Sequence, residues 1–196
     1  MQNTIMECER VGHEDGLAAG LALALAEFDA GAAPGPVAAL PSAAVRPWSE
    51  LIRHDMAHAE GISFVRSAAR PETPAEELTA LAARLGAVRI GATLRLMEKA
   101  VAHLSDRVVD GEPTLAKQLV QGQLADALTA TEAARCCLAT TELPEAVTDV
   151  HDRLTEVDWQ LVKLLGASGY VGRNPACGAY VSRLVANCWV PRRSAP

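Results

Sequence analysis

The stretch LPEAVTDVHDRLTEVDWQLVKL, residues 143–164, decides the architecture. Leu143, Val147, Val150, Leu154, Val157, Leu161 and Leu164 recur in it in alternating steps of four and three. That rhythm lines one stripe of a helix that faces other helices, whereas a strand would alternate at every second residue. Pro144 suits the first helical turn, where its missing N–H costs nothing, and Gly166 suits the residue that closes a helix. Beyond it, Pro175 opens a helix to about Trp189, stopped by Pro191. Before it, a helix is expected from about Thr114 to Ala139, preceded by the loop Val109 to Pro113. Earlier still, Thr73-Pro74-Ala75-Glu76 reads as an N-cap, a first-turn proline and a capping carboxylate. Leu78, Leu81, Leu85 and Val88, then Leu94, Met97, Val101 and Leu104, carry that helix to about Ser105. Gly86 and Gly91 interrupt it, each at about 1 kcal/mol relative to alanine unless another helix packs closely there. Four helices joined by short turns make an antiparallel bundle.

Residues 73–196 are therefore expected to form the bundle, and residues 1–72 a helical extension in front of it. The extension predicts a helix from about Glu14 to Ala30, a flexible Gly/Ala/Pro loop through Arg46, and a helix from Pro47 to about Ala69. His13-Glu14-Asp15 then lies at a helix start, where carboxylates complement the dipole. Composition agrees with an all-α class: 49% of residues are hydrophobic but only 4% aromatic, so the apolar matter is small and helix-forming.

The net charge of −6 argues against nucleic acid, whose affinity comes from clustered Lys and Arg displacing counterions. The apolar run from Gly16 to Ala26 is too short to span a bilayer, and Glu7, Glu9, Glu14 and Asp15 precede it in place of a basic leader. The expectation is a soluble cytoplasmic protein. Its five cysteines show no paired spacing, and the adjacent Cys136 and Cys137 point to different faces of a helix, so reduced cysteines acting as small hydrophobes are expected.

A second set of residues carries chemistry. Asp106-Arg107-Val108-Val109-Asp110-Gly111 is followed by Gln118, eleven residues after Arg107, and later by Gly166-Ala167-Ser168-Gly169-Tyr170. In order and spacing these elements, over about residues 80 to 190, resemble the C-terminal helical domain of acyl-CoA dehydrogenases. The resemblance implies that Arg107, Gln118, Gly166 and Gly169 stand where that family contacts FAD. It also implies that the arginine and glutamine reach across a subunit interface to the neighbour's FAD. A guanidinium fork is an apt donor for a pyrophosphate. The other possibility is that Arg107 caps its helix and Gln118 faces solvent. Asp110, Lys163 and Ala167-Ser168 depart from the family pattern. The family's strand-rich middle domain, which holds the flavin ring and acyl chain, has no counterpart visible in the sequence.

The family's catalytic glutamate removes the α-proton of an acyl thioester. A gapless count from Gly166 and Pro175 puts that position on Val190, which cannot accept a proton. Relatives that carry the base on the first bundle helix would place it at Ala80 or Leu81, about one turn from Glu77. Outside the resemblance, His54 and His58 lie at i, i+4 with Asp55 and Glu60 nearby, but without a third ligand or an HExxH pattern no metal site is expected. The same pair could serve as a general acid and base. Asp158, beside Trp159, is either a buried acid or a solvated charge on the helix edge. Trp48 and Trp159 are expected in a core or an interface.

The resulting expectation is an acyl-CoA dehydrogenase-like subunit that contributes in trans to a flavin-dependent oxidoreductase acting on an acyl thioester. It would be inactive alone and would work as an oligomer, either with itself or with a full-length relative. The alternatives are a flavin-independent cyclase, isomerase or lyase of secondary metabolism that reuses the bundle as a pocket, and a non-catalytic docking protein.

Overall fold

The structure is a computed structural model that describes residues 2–67, 73–141, 143–170 and 175–191. In chain order it contains α1 (Gln2–Glu14), α2 (Leu17–Ala24), β1 (Val37–Pro41), β2 (Leu51–Ile52), α3 (Asp55–Ala59) and β3 (Ile62–Arg66). The bundle follows as α4 (Ala75–Asp106), the two-residue strands β4 (Val108–Val109) and β5 (Glu112–Pro113), α5 (Gln118–Thr140), α6 (Pro144–Leu164) and α7 (Pro175–Trp189). The protein is predominantly helical, as expected, and α4 to α7 fall within a few residues of their predicted bounds. Helix α6 buries Val147, Val150, Leu154, Val157 and Leu161 of the opening stripe. Gly166 follows it with φ of +57°, the left-handed conformation in which a glycine ends a helix without steric cost.

Helix α4 is the axis of the fold. From Leu81 to Gly91 every residue except Arg84 is buried, which is the pattern of a helix covered on all sides. Helices α5, α6 and α7 cover part of it, and α1 and α2 cover the rest. The two interrupting glycines mark these contacts. A Cβ on Gly91 would clash with the Glu9 carbonyl oxygen and lie 2.6 Å from the His13 nitrogen, and one on Gly86 would lie 2.9 Å from Leu138 Cδ1. Across the same crossing, a Cβ on Gly12 would lie 2.5 Å from the Val88 oxygen. Glycine's missing side chain lets α1 and α4 touch backbone to backbone, which offsets the helix propensity it lacks.

The N-terminal region differs most from expectation. The predicted helix from Glu14 to Ala30 is reduced to α2, preceded by the unforeseen α1, and the two are separated at Gly16, whose φ of +93° no L-residue adopts comfortably. His13-Glu14 thus ends a helix, and His13 Nε2 pairs with Glu98 at 2.9 Å. The predicted helix from Pro47 to about Ala69 is instead β2, α3 and β3, in an antiparallel sheet of order β1-β3-β2; residues 68–69 lie outside the described residues. Val37 pairs with Arg66 and Pro41 with Ile62. The run Ile62-Ser63-Phe64-Val65 explains this, because β-branched and aromatic residues suit a half-buried sheet, and Gly61, at φ +71°, ends α3 before it. The core runs without interruption from this sheet into the bundle. Trp189 is fully buried and its Nε1–H donates to the Ala39 carbonyl at 2.8 Å, tying α7 to β1. Trp48 and Trp159, expected in a core or an interface, are 77% and 54% exposed and lie outside this core.

Two local details also differ. Pro74 is the N-cap of α4 and the Thr73 hydroxyl donates to the Ala32 carbonyl, so the capping box does not form. The loop Val109 to Pro113 is a hairpin whose central residues, Asp110 and Gly111, both have positive φ, as the tight two-residue turn requires.

Candidate functional site

The FAD-type residues gather at the end of the bundle where α4 stops. Arg107 is the C-cap of α4, and its carbonyl accepts from the Thr114 N–H at 2.7 Å and hydroxyl at 2.8 Å. These bonds close the β4–β5 hairpin and set the entry to α5, whose first residue is Gln118. Both Arg107 and Gln118 are exposed. The Arg107 guanidinium approaches the turn after α6: a Cβ on Gly166 would lie 3.7 Å from its Nη1. The guanidinium forms no hydrogen bond or ion pair among the described residues, although it belongs to the residue that ends the helix. Gly169 is enclosed, with Leu165 Cβ and the Val162 oxygen each 3.0 Å from where its Cβ would be. Arg107, Gly166 and Gly169 are thus brought together, and the hairpin holds Gln118 at the same end.

The base positions behave differently. Val190 is buried, and it borders three clefts, two of which hold titratable side chains of interest. One, of about 630 Å³, lies between the sheet and α7 and includes His54. The other, of about 400 Å³, lies between α6 and α7 and includes Arg89, His151, Asp152, Glu156 and Arg183. Glu77 lies elsewhere, exposed in an open hollow with Glu27, Asp29 and Arg84. His54 is the N-cap of α3, accepting from the Ala57 N–H on Nδ1 at 3.2 Å, while His58 is exposed. No group of three or more His, Cys, Asp or Glu side chains that could hold a metal occurs among the described residues.

Asp158 is a buried acid rather than a solvated charge. It accepts from the Thr93 hydroxyl at 2.6 Å and faces Arg89 Nη2 at 3.6 Å. Burial pushes its carboxyl up to about 6, outweighing the opposing pull of Arg89 and the Thr93 hydroxyl. Arg89 itself was not singled out in the sequence. Its Nε donates to Ser182 Oγ at 3.1 Å, Nη1 to the His151 carbonyl at 2.8 Å and Nη2 to Thr155 Oγ1 at 2.9 Å. His151 Nε2 lies 2.9 Å from the Ala82 carbonyl and so must donate to it, which leaves Nδ1 to accept from Arg89 Nη1 at 3.3 Å. Burial, with the Arg89 charge adding, holds His151 down at about 3, a neutral ring. The available signal was position: Arg89 interrupts the most continuously apolar part of α4, where a charged residue needs a partner on a neighbouring helix.

Residues 74–168 match the family described as "Acyl-CoA dehydrogenase, C-terminal domain". That family is FAD-dependent. Butyryl-CoA dehydrogenase from Megasphaera elsdenii is similar in fold, with a TM-score of 0.59 at 15% identity over 80% of this chain and 45% of its own. An acyl-CoA dehydrogenase from Geobacillus kaustophilus gives 0.57 at 13% identity over 74% and 47%, and the Tcur3481-Tcur3483 steroid ACAD 0.56 at 18% over 79% and 44%. The chain thus spans less than half the length of these structures. Comparison with curated proteins finds no match.

Proposed function

We propose that this chain is one component of a flavin-dependent acyl thioester dehydrogenase assembly and completes an FAD site in trans, with a partner subunit supplying the flavin-ring pocket and the base. The observation that carries the proposal is the Arg107 guanidinium, held at the end of α4 beside Gly166 and engaged by no side chain or carbonyl among the described residues. A cation that stabilised only its own helix would gain most by bonding the last carbonyls. This one is presented outward, as a phosphate-binding fork must be. Gln118, exposed at the start of α5, adds an amide and lies where N–H groups favour an anion.

The chain's own residues fit the phosphate end of FAD and not its ring. Bound flavin would supply hydride acceptance; Arg107, Gln118 and the Gly166–Gly169 turn would bind and orient it. Proton abstraction falls outside this list, because the gapless count from Gly166 and Pro175 puts the family position of the base on Val190, a buried side chain that cannot accept a proton. Co-expression with acyl-CoA dehydrogenase-like gene neighbours followed by native mass spectrometry tests the proposal. A complex containing both chains and FAD, with no FAD on this chain alone, is expected. A chain that binds FAD alone, or that never joins a flavin-containing complex, contradicts it.

A further inference from the structure

A cleft of about 280 Å³, bounded by the turn between α1 and α2, the end of α3, the middle of α4 and the start of α7, gathers charges of both signs. Asp15 and Glu60 line it together with Arg95 and Lys99. Arg95 and Lys99 stand one turn apart on α4, where like charges repel each other. The Arg95 guanidinium rests over the α1–α2 turn: a Cβ on Gly16 would lie 3.2 Å from its Nη1. The Glu60 carboxylate rests over the first turn of α7, its Oε2 3.5 Å from where a Cβ on Gly178 would be. None of the four side chains forms a hydrogen bond or an ion pair among the described residues, although cations and carboxylates share one small cleft. The elements that carry them hold them apart: both cations belong to α4, whereas Asp15 follows α1 and Glu60 follows α3.

Two cations and two carboxylates that do not close on one another suit an occupant that carries both charges, because an anion alone leaves the acids unanswered and a cation alone leaves the bases so. We infer that this cleft binds a small zwitterion with one carboxylate and one ammonium group, an amino acid by class. Arg95 and Lys99 take the carboxylate, which relieves their mutual repulsion, and Asp15 and Glu60 take the ammonium. The volume lies at the lower edge of small-molecule sites, so the occupant is short. Neither Arg107 nor Gln118 nor Gly166 lines this cleft, so an amino acid here and a flavin at the end of the bundle stand or fall separately.

The probes are glycine, 3-aminopropanoate, 4-aminobutanoate and 5-aminopentanoate, which step the distance between the two charges. Each is titrated into the uniformly ¹⁵N-labelled full chain at low ionic strength, where exposed charges are least screened. The tightest probe should saturate in the millimolar range or below and move the amide signals of Gly16 and Gly178. Its two single-charge analogues, with methyl in place of the ammonium or isopropyl in place of the carboxylate, should bind at least about 10-fold more weakly. Glu60→Gln should weaken the amino acid about 3- to 10-fold, less than a buried charge-assisted bond is worth because water screens these groups, and leave the carboxylate analogue within about twofold. Arg95→Gln should weaken the amino acid similarly and leave the amine analogue within about twofold. The inference is overturned if no probe saturates in the millimolar range, if either single-charge analogue binds as tightly as the amino acid, or if both variants bind it as the wild type does.

Discussion

Two arginines on one helix, eighteen residues and five helical turns apart, have opposite fates. Arg89, in the middle of α4, is enclosed and shares its donors among Ser182, His151 and Thr155, with Asp158 as counter-charge. Arg107, at the end of the same helix, is exposed and its guanidinium holds nothing among the described residues. The first charge is used up in joining α4 to α6 and α7; the second is available. A guanidinium's chemistry is thus settled by what surrounds it, and a partnered buried arginine points to architecture where an unengaged one points to a ligand.

The largest effect that would test this contrast is at Arg89. Arg89→Met should cost about 3–5 kcal/mol in chemical denaturation, because Asp158 keeps its place without its counter-charge and the other acceptors lose their donor. Arg107→Met should cost less than about 1 kcal/mol. Similar losses for the two variants would erase the distinction. A second pair, of glycines, sharpens it. Gly91→Ala should cost about 1–3 kcal/mol, since its Cβ would meet the α1 backbone. Gly122→Ala, with nothing within 4 Å of its Cβ, should raise stability by about 0.5–1 kcal/mol through helix propensity. Equal melting shifts of one sign would contradict the close α1–α4 crossing.

The pH dependence of stability is subtler, because the interior cluster contains two opposed groups. His151 is held below its ordinary 6.5, so its contribution is fully present above that pH and is lost as pH falls toward about 3. Asp158 is raised above its ordinary 3.8, so its contribution is fully present below that pH and is lost as pH rises through about 6. Between about pH 6 and 4 the two slopes, each about 1.4 kcal/mol per pH unit at most, oppose each other. Asp158→Asn should therefore make stability fall more steeply from pH 6 to 4 than in the wild type. His151→Gln should make it rise over the same interval. Urea midpoints at pH 4, 5, 6 and 7 read the slopes, and parallel profiles for all three proteins would refute the assignment.

The bundle was legible because its helices carry strong local signals: the four-three stripe of α6, Pro144 and Pro175 at helix starts, Gly166 at a helix end. The N-terminal region was not, because Leu51-Ile52 and Ile62–Arg66 are short and take their conformation from pairing with each other and β1, which a single stretch of sequence does not display. Helix α1 was missed because its best packing residue is Gly12, whose role exists only against Val88 of α4. At the candidate site, the Arg107–Gln118 spacing was readable as a family pattern. The Arg89–His151–Asp158 cluster was hidden because His151 and Asp158 lie 62 and 69 residues from Arg89 on another helix, joined to it only by the fold.

The claim that the end of the bundle serves FAD in trans is tested most directly by FAD occupancy of the co-expressed assembly. Arg107→Ala removes a charge-assisted contact to phosphate worth about 1.5–3 kcal/mol, so FAD affinity should fall by a factor of about 10–150, with little change in melting temperature. Arg107→Lys should recover only part of it, since an ammonium lacks the bidentate fork. Full FAD occupancy in Arg107→Ala, at flavin concentrations where the wild type is just saturated, would contradict the account.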